Sequence, residues 1–364
     1  MTACYGIVQS EAEAHDKRAR RSSRSTSTCI VGAVGSKGGA TRFWRPGPAP
    51  PLGRRVREDG DVQIMDALVR AQEAAAPEVG HGRLANYIPS LAAVDPRQFG
   101  MVIASCDGQV HVIGDADVRF SVQSISKVFT LTLVVAAEGE RIWERVSREP
   151  SGNPFNSLLQ LDQEVGRPRN PFINAGALVV TDRLHSLTGN ACEALGDLLR
   201  RESGHDDVVS DPEVARSELE AGHRTSALAH LLASYGNLEC PVDQVINQYV
   251  AQCAFSMTCR ELALAGLFLA RDGVLADGTR LLSARQTKRV NAVMLTCGTY
   301  DSAGEFAYRV GLPAKSGVGG GILAIIPDRG VACVWSPALG PTGSSAAGLA
   351  ALDAFTTYSD WTVF

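Results

Sequence analysis

The sequence lacks a long apolar run, since no stretch reaches the roughly 18 apolar residues that a membrane-spanning helix needs. It also lacks a Cys-x-x-Cys pair: its nine cysteines are scattered singly, so neither a zinc site nor a dithiol redox motif is predicted. A formal net charge of −4 gives no indication of nucleic-acid binding. Scattered cysteines fit a reducing compartment, so we expect a cytoplasmic protein. From the preceding observations we expect no metal, membrane or nucleic-acid partner.

Charge is divided unevenly between the N-terminal stretch and the rest of the chain. Residues 1–60 carry eleven Lys and Arg against five Asp and Glu, a net of +6, which leaves −10 for the remaining residues. The same stretch has Ser/Thr-rich and Pro-rich pieces and too few apolar residues to build a core. We predict a disordered basic extension over residues 1–61 and a single folded part over residues 62–364.

β-prone segments occur near both ends of the folded part. Residues 99–113 contain two such runs around Asp107-Gly108, and an Asp-Gly pair in that setting is the strongest short-range signal for a β-hairpin. Residues 318–326 and 331–335 flank a Pro-Asp-Arg-Gly turn. Each end of the folded part is therefore predicted to supply strands.

Helical periodicity occupies residues 62–76, residues 344–358 and much of the middle of the chain. Strands near both ends with helices between them predict one antiparallel sheet, built from residues 62–139 and 298–364. Residues 140–297 are then predicted to form a helical subdomain. The expected fold class is α+β.

The sharpest local motif is Ser124-Ile-Ser-Lys127. On a helix, residues three apart lie on one face, so the Ser124 hydroxyl and the Lys127 amine can meet. A serine is a weak nucleophile until a base removes its proton, and a lysine can be that base only where burial disfavours its charged form. Apolar neighbours such as Val128 and Phe129 would supply the burial. The string alone is a weak signal, because Ser and Lys often meet at this spacing by chance.

A second motif, Lys315-Ser-Gly317, strengthens the catalytic interpretation. Serine enzymes that recognise penicillin pair S-x-x-K with a downstream K-[ST]-G strand. Glycines there let the strand approach a reacting carbonyl, and a backbone N–H can serve an oxyanion hole. The alternative is a Gly-rich turn before the last hairpin. A sheet made from both chain ends would bring the two motifs together, which favours catalysis.

The chain resembles the glutaminase family, whose motifs it carries in the family's order. The matching segments are residues 85–89, 120–127, 170–176, 217–218, 296–301 and 311–318. The resemblance implies a β-lactamase-like fold, which is a three-layer α/β/α sandwich with a helical subdomain. It also implies hydrolysis of L-glutamine to L-glutamate and ammonia, with no metal or cofactor. Homo-oligomers are common in the family, so a dimer or tetramer is expected.

The resemblance assigns roles to particular residues. Ser124 would be the nucleophile, Lys127 its base, and Tyr300 a proton relay that also contacts the substrate. The backbone N–H groups of Ser124 and Val318 would form the oxyanion hole. The substrate-binding residues that it implies are Tyr87, Gln123, Ser124, Asn174, Glu218, Thr225, Tyr249, Tyr300 and Val318.

These residue types suit an amino-acid substrate. Glu218 can pair with an ammonium group, and Asn174 and the tyrosines offer directed hydrogen bonds. Taken singly, the tyrosines are more often core residues, Glu218 a solvated helix charge and Asn174 a helix cap. Only their shared place in the family's motifs favours the functional role.

One position departs from the family pattern. The family has Gly-Asp-Arg-Asn after its Ser-Glu pair, whereas this chain has Gly222-His-Arg-Thr225. The family's asparagine contacts substrate, and Thr225 keeps a hydroxyl but loses the paired donor and acceptor of an amide. We therefore expect weaker glutamine binding with the chemistry retained. The change to His223 is expected to be a surface change.

Two other functions remain open from the residues. A penicillin-binding or β-lactamase-like hydrolase would share S-x-x-K and K-[ST]-G, but such enzymes normally work outside the cytoplasm. A non-catalytic binder of glutamine or glutamate, degenerate at Thr225, is the second alternative. Turnover of a β-lactam would favour the first alternative. Tight binding of glutamine without turnover would favour the second.

Overall fold

The structure is a computed structural model that describes the backbone of residues 56–364 and the side chains from residue 63 onward. Its strands are β1 (Gly100–Ser105), β2 (Val110–Gly114), β3 (Phe120–Ser121), β4 (Val209–Ser210), β5 (Phe255–Met257), β6 (Ala314–Ser316), β7 (Gly321–Ile326) and β8 (Gly330–Trp335). Its helices are α1 (Val56–Ala75), α2 (Pro89–Ala92), α3 (Ser126–Glu138), α4 (Ile142–Arg145), α5 (Leu158–Gln163), α6 (Asn174–Thr188), α7 (Ala191–Ser203), α8 (Pro212–Ala221), α9 (His223–Ser234), α10 (Val242–Cys253), α11 (Cys259–Gly266), α12 (Ala284–Cys297), α13 (Ala303–Arg309) and α14 (Ala346–Ser359). None of these helices is long and apolar enough to cross a membrane.

The central sheet contains five strands in the order β2-β1-β8-β7-β6, and every neighbouring pair is antiparallel. The predicted sheet from both chain ends is therefore confirmed, since β1 and β2 precede the helical middle and β6 to β8 follow it. The hairpin predicted around Asp107-Gly108 is β1-β2, and Gly108 has the positive φ of 96° that the turn needs.

Helices cover both faces of this sheet, which gives the expected three layers. Side chains alternate along each strand, so Met101 and Ile103 face the layer of α1 and α14, while Val102 and Ala104 face α11 and the helical region beyond it. β1, β7 and β8 are buried along their whole length. Strands buried on two faces read as continuous apolar runs, and this explains the β-prone segments in the sequence.

A second, three-stranded sheet was not predicted. β3, β5 and β4 pair in that order, and each is only two or three residues long. Such short strands carry no readable alternation, so sequence patterns could not reveal them. This small sheet matters for function because β3 leads directly into the turn that carries Ser124.

Two predicted boundaries move in the structure. α1 begins at Val56 rather than at residue 62, whereas most of the predicted extension over residues 1–61 lies outside the described residues. β7 begins at Gly321 rather than at residue 318, because the Gly320 N–H bonds the Gly317 carbonyl at 3.0 Å and closes a turn. The glycine-rich segment is therefore a turn between β6 and β7.

Candidate active site

The turn that carries Ser124 is held by the small sheet. The Val122 N–H donates to the Phe255 carbonyl at 2.9 Å, directly after β3. Gln123 then takes a φ of +50°, a left-handed conformation that costs free energy for a residue with a side chain. Ser124 follows in a 3₁₀ turn, and α3 begins two residues later.

Ser124 thus precedes the α-helix on which the sequence placed it. In a 3₁₀ turn, which has three residues per turn, positions i and i+3 lie one above the other. The spacing of the S-x-x-K motif therefore keeps its meaning in this geometry. Both Ser124 and Lys127 are buried, with exposed fractions of 7% and 4%.

The Lys127 amine lies among oxygen atoms and aromatic surface. Its Nζ donates to Asn174 Oδ1 at 2.8 Å and to the Phe172 carbonyl at 3.2 Å, and it lies 5.7 Å from the centre of the Tyr249 ring. Burial lowers the pKa of Lys127 to about 8, although the negative charge of Glu218 opposes that shift. The amine can consequently lose its proton near neutral pH.

Tyr300 follows α12 and lies near Ser124, although about half of the sequence separates the two residues. Its hydroxyl donates to the Ser316 carbonyl at 3.3 Å. Its backbone φ is +56°, which is rare for an aromatic residue. Burial raises the pKa of Tyr300, so the phenol keeps its proton at neutral pH and can donate it.

Lys315 is a second buried lysine at the site. It is fully buried, its Nζ donates to the Ser316 carbonyl at 2.6 Å, and it lies 4.1 Å from the centre of the Tyr300 ring. Burial first, and the positive charge of Lys127 second, hold the pKa of Lys315 well below its ordinary value. The sequence singled out the motif but did not include Lys315 among the site residues.

The turn after β6 packs directly on the backbone that precedes Ser124. A Cβ atom on Gly317 would lie 2.7 Å from the Val122 carbonyl oxygen, and one on Gly319 would lie 2.2 Å from the Ser121 carbonyl oxygen. Only glycine permits this approach. Val318, between them, lines the cavity beside Ser124. The two sequence motifs are therefore adjacent in the folded chain.

A cavity of about 410 Å³ opens above Ser124. Eight of the nine predicted substrate-binding residues line it: Tyr87, Gln123, Ser124, Asn174, Glu218, Thr225, Tyr249 and Val318. Tyr300 is not part of the lining, and its hydroxyl donates to the Ser316 carbonyl behind the cavity wall. The remaining lining residues are Ile88, Phe155, Asn156, Ala221, Gly222, His223 and Arg224.

Glu218 is the acidic residue of this cavity. It lies near the end of α8, partly buried, and its Oε2 accepts from Gln123 Nε2 at 3.3 Å. Burial raises the pKa of Glu218 to about 7, while the hydrogen bond from Gln123 and the charge of Lys127 oppose the shift. A cationic group that enters the cavity would therefore find a poorly solvated carboxylate as its partner.

Several features of the site were missed from the sequence. Phe155 packs on Tyr300 with ring centres 4.8 Å apart, and Arg224 lines the cavity near its exposed edge. Cys253 is buried, and burial first and the negative charge of Glu218 second raise the pKa of its thiol. Neither a lone Phe nor a lone Cys gives a sequence signal. Arg224, by contrast, belongs to Gly222-His-Arg-Thr225, the segment that departs from the family pattern. His223 is exposed, as predicted, yet it also lines the cavity.

One group among the described residues has the composition of a metal site, but it lies away from this cavity. His205, Asp207 and Glu261 approach one another closely. However, Arg119 already donates to Asp207 at 2.5 Å and to Glu261 at 2.8 Å. The guanidinium group supplies the positive charge there, so the cluster is an ion-pair network.

The chain was compared with known proteins. A family model described as Glutaminase matches residues 82–364. A glutaminase of Streptomyces coelicolor is 59% identical over 297 residues, which cover 82% of this chain and 97% of the relative. A solved probable glutaminase has a TM-score of 0.77 at 34% identity, covering 82% of this chain and 98% of that one. A solved probable glutaminase from Bacillus subtilis, complexed with 6-diazo-5-oxo-L-norleucine, has a TM-score of 0.72 at 32% identity, covering 86% of this chain and 100% of that one.

The close approach at Gly319 can be tested by a single methyl group. Gly319→Ala should lower the free energy of unfolding in urea by about 1–3 kcal/mol, because the new Cβ would overlap the Ser121 carbonyl oxygen and force the turn outward. Gly304→Ala is the matched control, since no atom lies within 4 Å of its Cβ position. Equal stability of the two variants would contradict the described packing.

Proposed function

This chain belongs to the glutaminase family, and on that premise we propose that Ser124 is the nucleophile of its reaction. The chain is an amidohydrolase that converts L-glutamine to L-glutamate and ammonia, and it has the β-lactamase-like fold of its glutaminase relatives. The observation that carries the proposal is the position of Ser124 in the cavity wall, three residues before a buried Lys127 whose pKa burial lowers to about 8.

The first half of the reaction forms an ester. Neutral Lys127 takes the proton of Ser124, and the oxygen attacks the carbon of the substrate's side-chain amide. The oxygen of that amide gains negative charge, which the backbone N–H groups of Ser124 and Val318 stabilise. Support comes from Val318, which lies in the cavity wall on the turn that packs against the Ser124 segment.

The leaving group needs a proton before the carbon–nitrogen bond breaks. Tyr300 donates it and recovers a proton from the Lys127 ammonium, so ammonia leaves and a glutamyl ester of Ser124 remains. A phenol with a raised pKa suits this role because it stays protonated until the leaving nitrogen becomes basic. Its position near Ser124 supports the relay.

The second half of the reaction reverses the roles. A water molecule gives its proton to the neutral Lys127 and attacks the ester carbon, and the Ser124 oxygen leaves with a proton that returns through the same groups. The products are L-glutamate and the free serine. Ammonia carries away the proton of Ser124, one hydrogen of the consumed water restores that proton, and the glutamate carboxyl takes the oxygen and the other hydrogen of the water, so the atoms balance.

Substrate recognition is assigned to the polar residues of the cavity wall. Glu218 binds the ammonium group of glutamine, while Tyr87, Gln123, Asn174 and Tyr249 orient the rest of the substrate. The complex of the Bacillus subtilis relative with a norleucine derivative supports a pocket for an amino acid. Tyr87 is 55% exposed, and a substrate in the cavity would cover it.

We also propose that the chain forms a dimer or tetramer and works in the cytoplasm. The first proposal follows from the family resemblance, and light scattering by the full chain tests it. The second is supported by the seven cysteines of the described residues, which are all free thiols, as a reducing compartment would keep them.

The role of Ser124 predicts a large loss of turnover on its removal. Ser124→Ala should lower kcat for ammonia release from glutamine by roughly a thousandfold or more, because no other group supplies the attacking oxygen. Ser126→Ala is the control, since this neighbouring buried serine does not line the cavity and donates to the Gln123 carbonyl at 2.8 Å. A fall of similar size in both variants would point to misfolding. Activity retained in Ser124→Ala would exclude Ser124 as the nucleophile.

The pKa values of Lys127 and Glu218 predict an alkaline rise in activity. Lys127 acts as a base only when it has lost its proton, and Glu218 binds the ammonium group only when ionised. Their pKa values are about 8 and about 7, so kcat/KM should rise from pH 6 to pH 9 and level off above the higher value. Glu218→Gln should raise KM and leave one ionisation in the profile. A flat profile over this range would contradict both assignments.

Position 225 has threonine where the family has asparagine, and this difference predicts that glutamine binding can be strengthened. Thr225 lines the cavity, so Thr225→Asn restores an amide facing the substrate. One added hydrogen bond contributes about 0.5–1.5 kcal/mol, which corresponds to a fall in KM of roughly two- to tenfold with kcat little changed. Thr225→Val removes the hydroxyl without adding an amide, so its KM gives the contribution of the hydroxyl alone. An unchanged or higher KM in Thr225→Asn would count against the prediction.

A further inference from the structure

A second cleft lies outside the active site. It also has a volume of about 410 Å³, and its wall is formed by α12, the segment after α11 and the turn between β7 and β8. The lining residues are Leu269, Ala270, Asp272, Ala284, Arg285, Thr287, Lys288, Asn291, Pro327 and Asp328. No residue of the active site belongs to this set.

Asn291 gives the cleft a buried polar group with unused capacity. The residue is 7% exposed, and its Nδ2 donates to the Leu269 carbonyl at 3.0 Å. Since that carbonyl can only accept, the orientation of the amide is settled and Oδ1 is the remaining atom. Oδ1 is buried and has no hydrogen-bond partner within the part of the chain that the structure describes. A buried acceptor of this kind favours a ligand that brings a donor.

The rim of the cleft carries two charges of each sign. Arg285 and Lys288 are three residues apart on α12 and therefore lie on one face of the helix. Asp272 and Asp328 stand on the other walls. All four are exposed, and none forms an ion pair with another residue in the described range. Opposite charges held apart across a cleft can each bind the complementary group of one ligand.

We propose that this second cleft binds an α-amino dicarboxylate, and that the reaction's own product, L-glutamate, is such a ligand. Two carboxylates match the two cations of the α12 face, which can bind them through charge-assisted hydrogen bonds. One ammonium group matches the acceptors, Asn291 Oδ1 and the two aspartates. Glutamine has only one carboxylate and leaves one cation without a partner, so the cleft prefers the product.

α12 connects this cleft to the active site. The helix begins at the cleft and ends at Cys297, three residues before Tyr300. The next residue, Gly298, is packed so tightly that a Cβ atom would lie 1.8 Å from the Ala314 carbonyl oxygen of β6. A ligand that moves α12 must therefore also move the turn of Tyr300 or the strand that carries Lys315. Glutamate bound in the second cleft lowers kcat by this route.

Calorimetric titration of the full chain with L-glutamate tests the site. The wild type should bind two glutamate molecules per chain, and the double variant Arg285→Ala/Lys288→Ala should bind one, with turnover of glutamine unchanged in the absence of glutamate. Glu218→Gln should keep the second cleft at its wild-type affinity and bind glutamate more weakly at the active site. Arg141→Ala, which removes an exposed arginine elsewhere, should bind two as the wild type does.

The outcomes separate this proposal from the active-site assignments. A single glutamate per wild-type chain whose affinity falls in Glu218→Gln, or two that persist in the double variant, would overturn the second cleft. Two that bind Glu218→Gln with both wild-type affinities would instead overturn the role of Glu218. In kinetics, glutamate should inhibit the wild type partly in a way that saturating glutamine does not relieve. This non-competitive part should be absent from the double variant. Purely competitive inhibition of the wild type would overturn the link through α12.

Discussion

The withdrawal of the Lys127 amine from water is the constraint on which the rest of the site depends. In water this amine would hold its proton at neutral pH and could not activate a serine. Burial disfavours the charged form, whereas Asn174, the Phe172 carbonyl and the charge of Glu218 favour it. The balance leaves a pKa of about 8, so either protonation state is accessible during a reaction cycle. A fully apolar pocket would lower the pKa of Lys127 further, and the amine could then not hold the proton that the proposed reaction gives it.

Two residues of the candidate site have a strained backbone. Gln123 and Tyr300 both have positive φ values, which cost about 1–3 kcal/mol each and persist only where the surroundings impose them. At Gln123 the small sheet fixes the preceding backbone, and the glutamine side chain bonds Glu218. At Tyr300 the ring lies between Phe155 and Lys315. Packing from distant parts of the chain holds the strain at these two positions: Gln123 directly precedes Ser124 in its turn, and the Tyr300 hydroxyl donates to the Ser316 carbonyl.

The charges of the site are coupled to one another. Lys127 and Lys315 are both buried, and the charge of the first disfavours a charge on the second. Glu218 favours the protonated form of Lys127, which in turn favours ionised Glu218. The proton on any one group therefore depends on the others, and a cation placed beside Glu218 would also change the pKa of Lys127. Binding and base strength are linked by this geometry.

The sequence by itself determined the two hairpins, the sheet from both chain ends and eight of the residues that line the cavity, because these depend on local alternation, turn chemistry and family motifs. The tertiary structure alone revealed the small sheet, the 3₁₀ turn at Ser124, the buried Lys315 and the contacts of Phe155 and Cys253. Strands of two or three residues have no periodicity to read, and a side chain's burial depends on segments far away in the chain. The protonation of Lys127 belongs to the same class: its spacing from Ser124 is written in the sequence, but its pKa is decided by which atoms exclude water from it after folding.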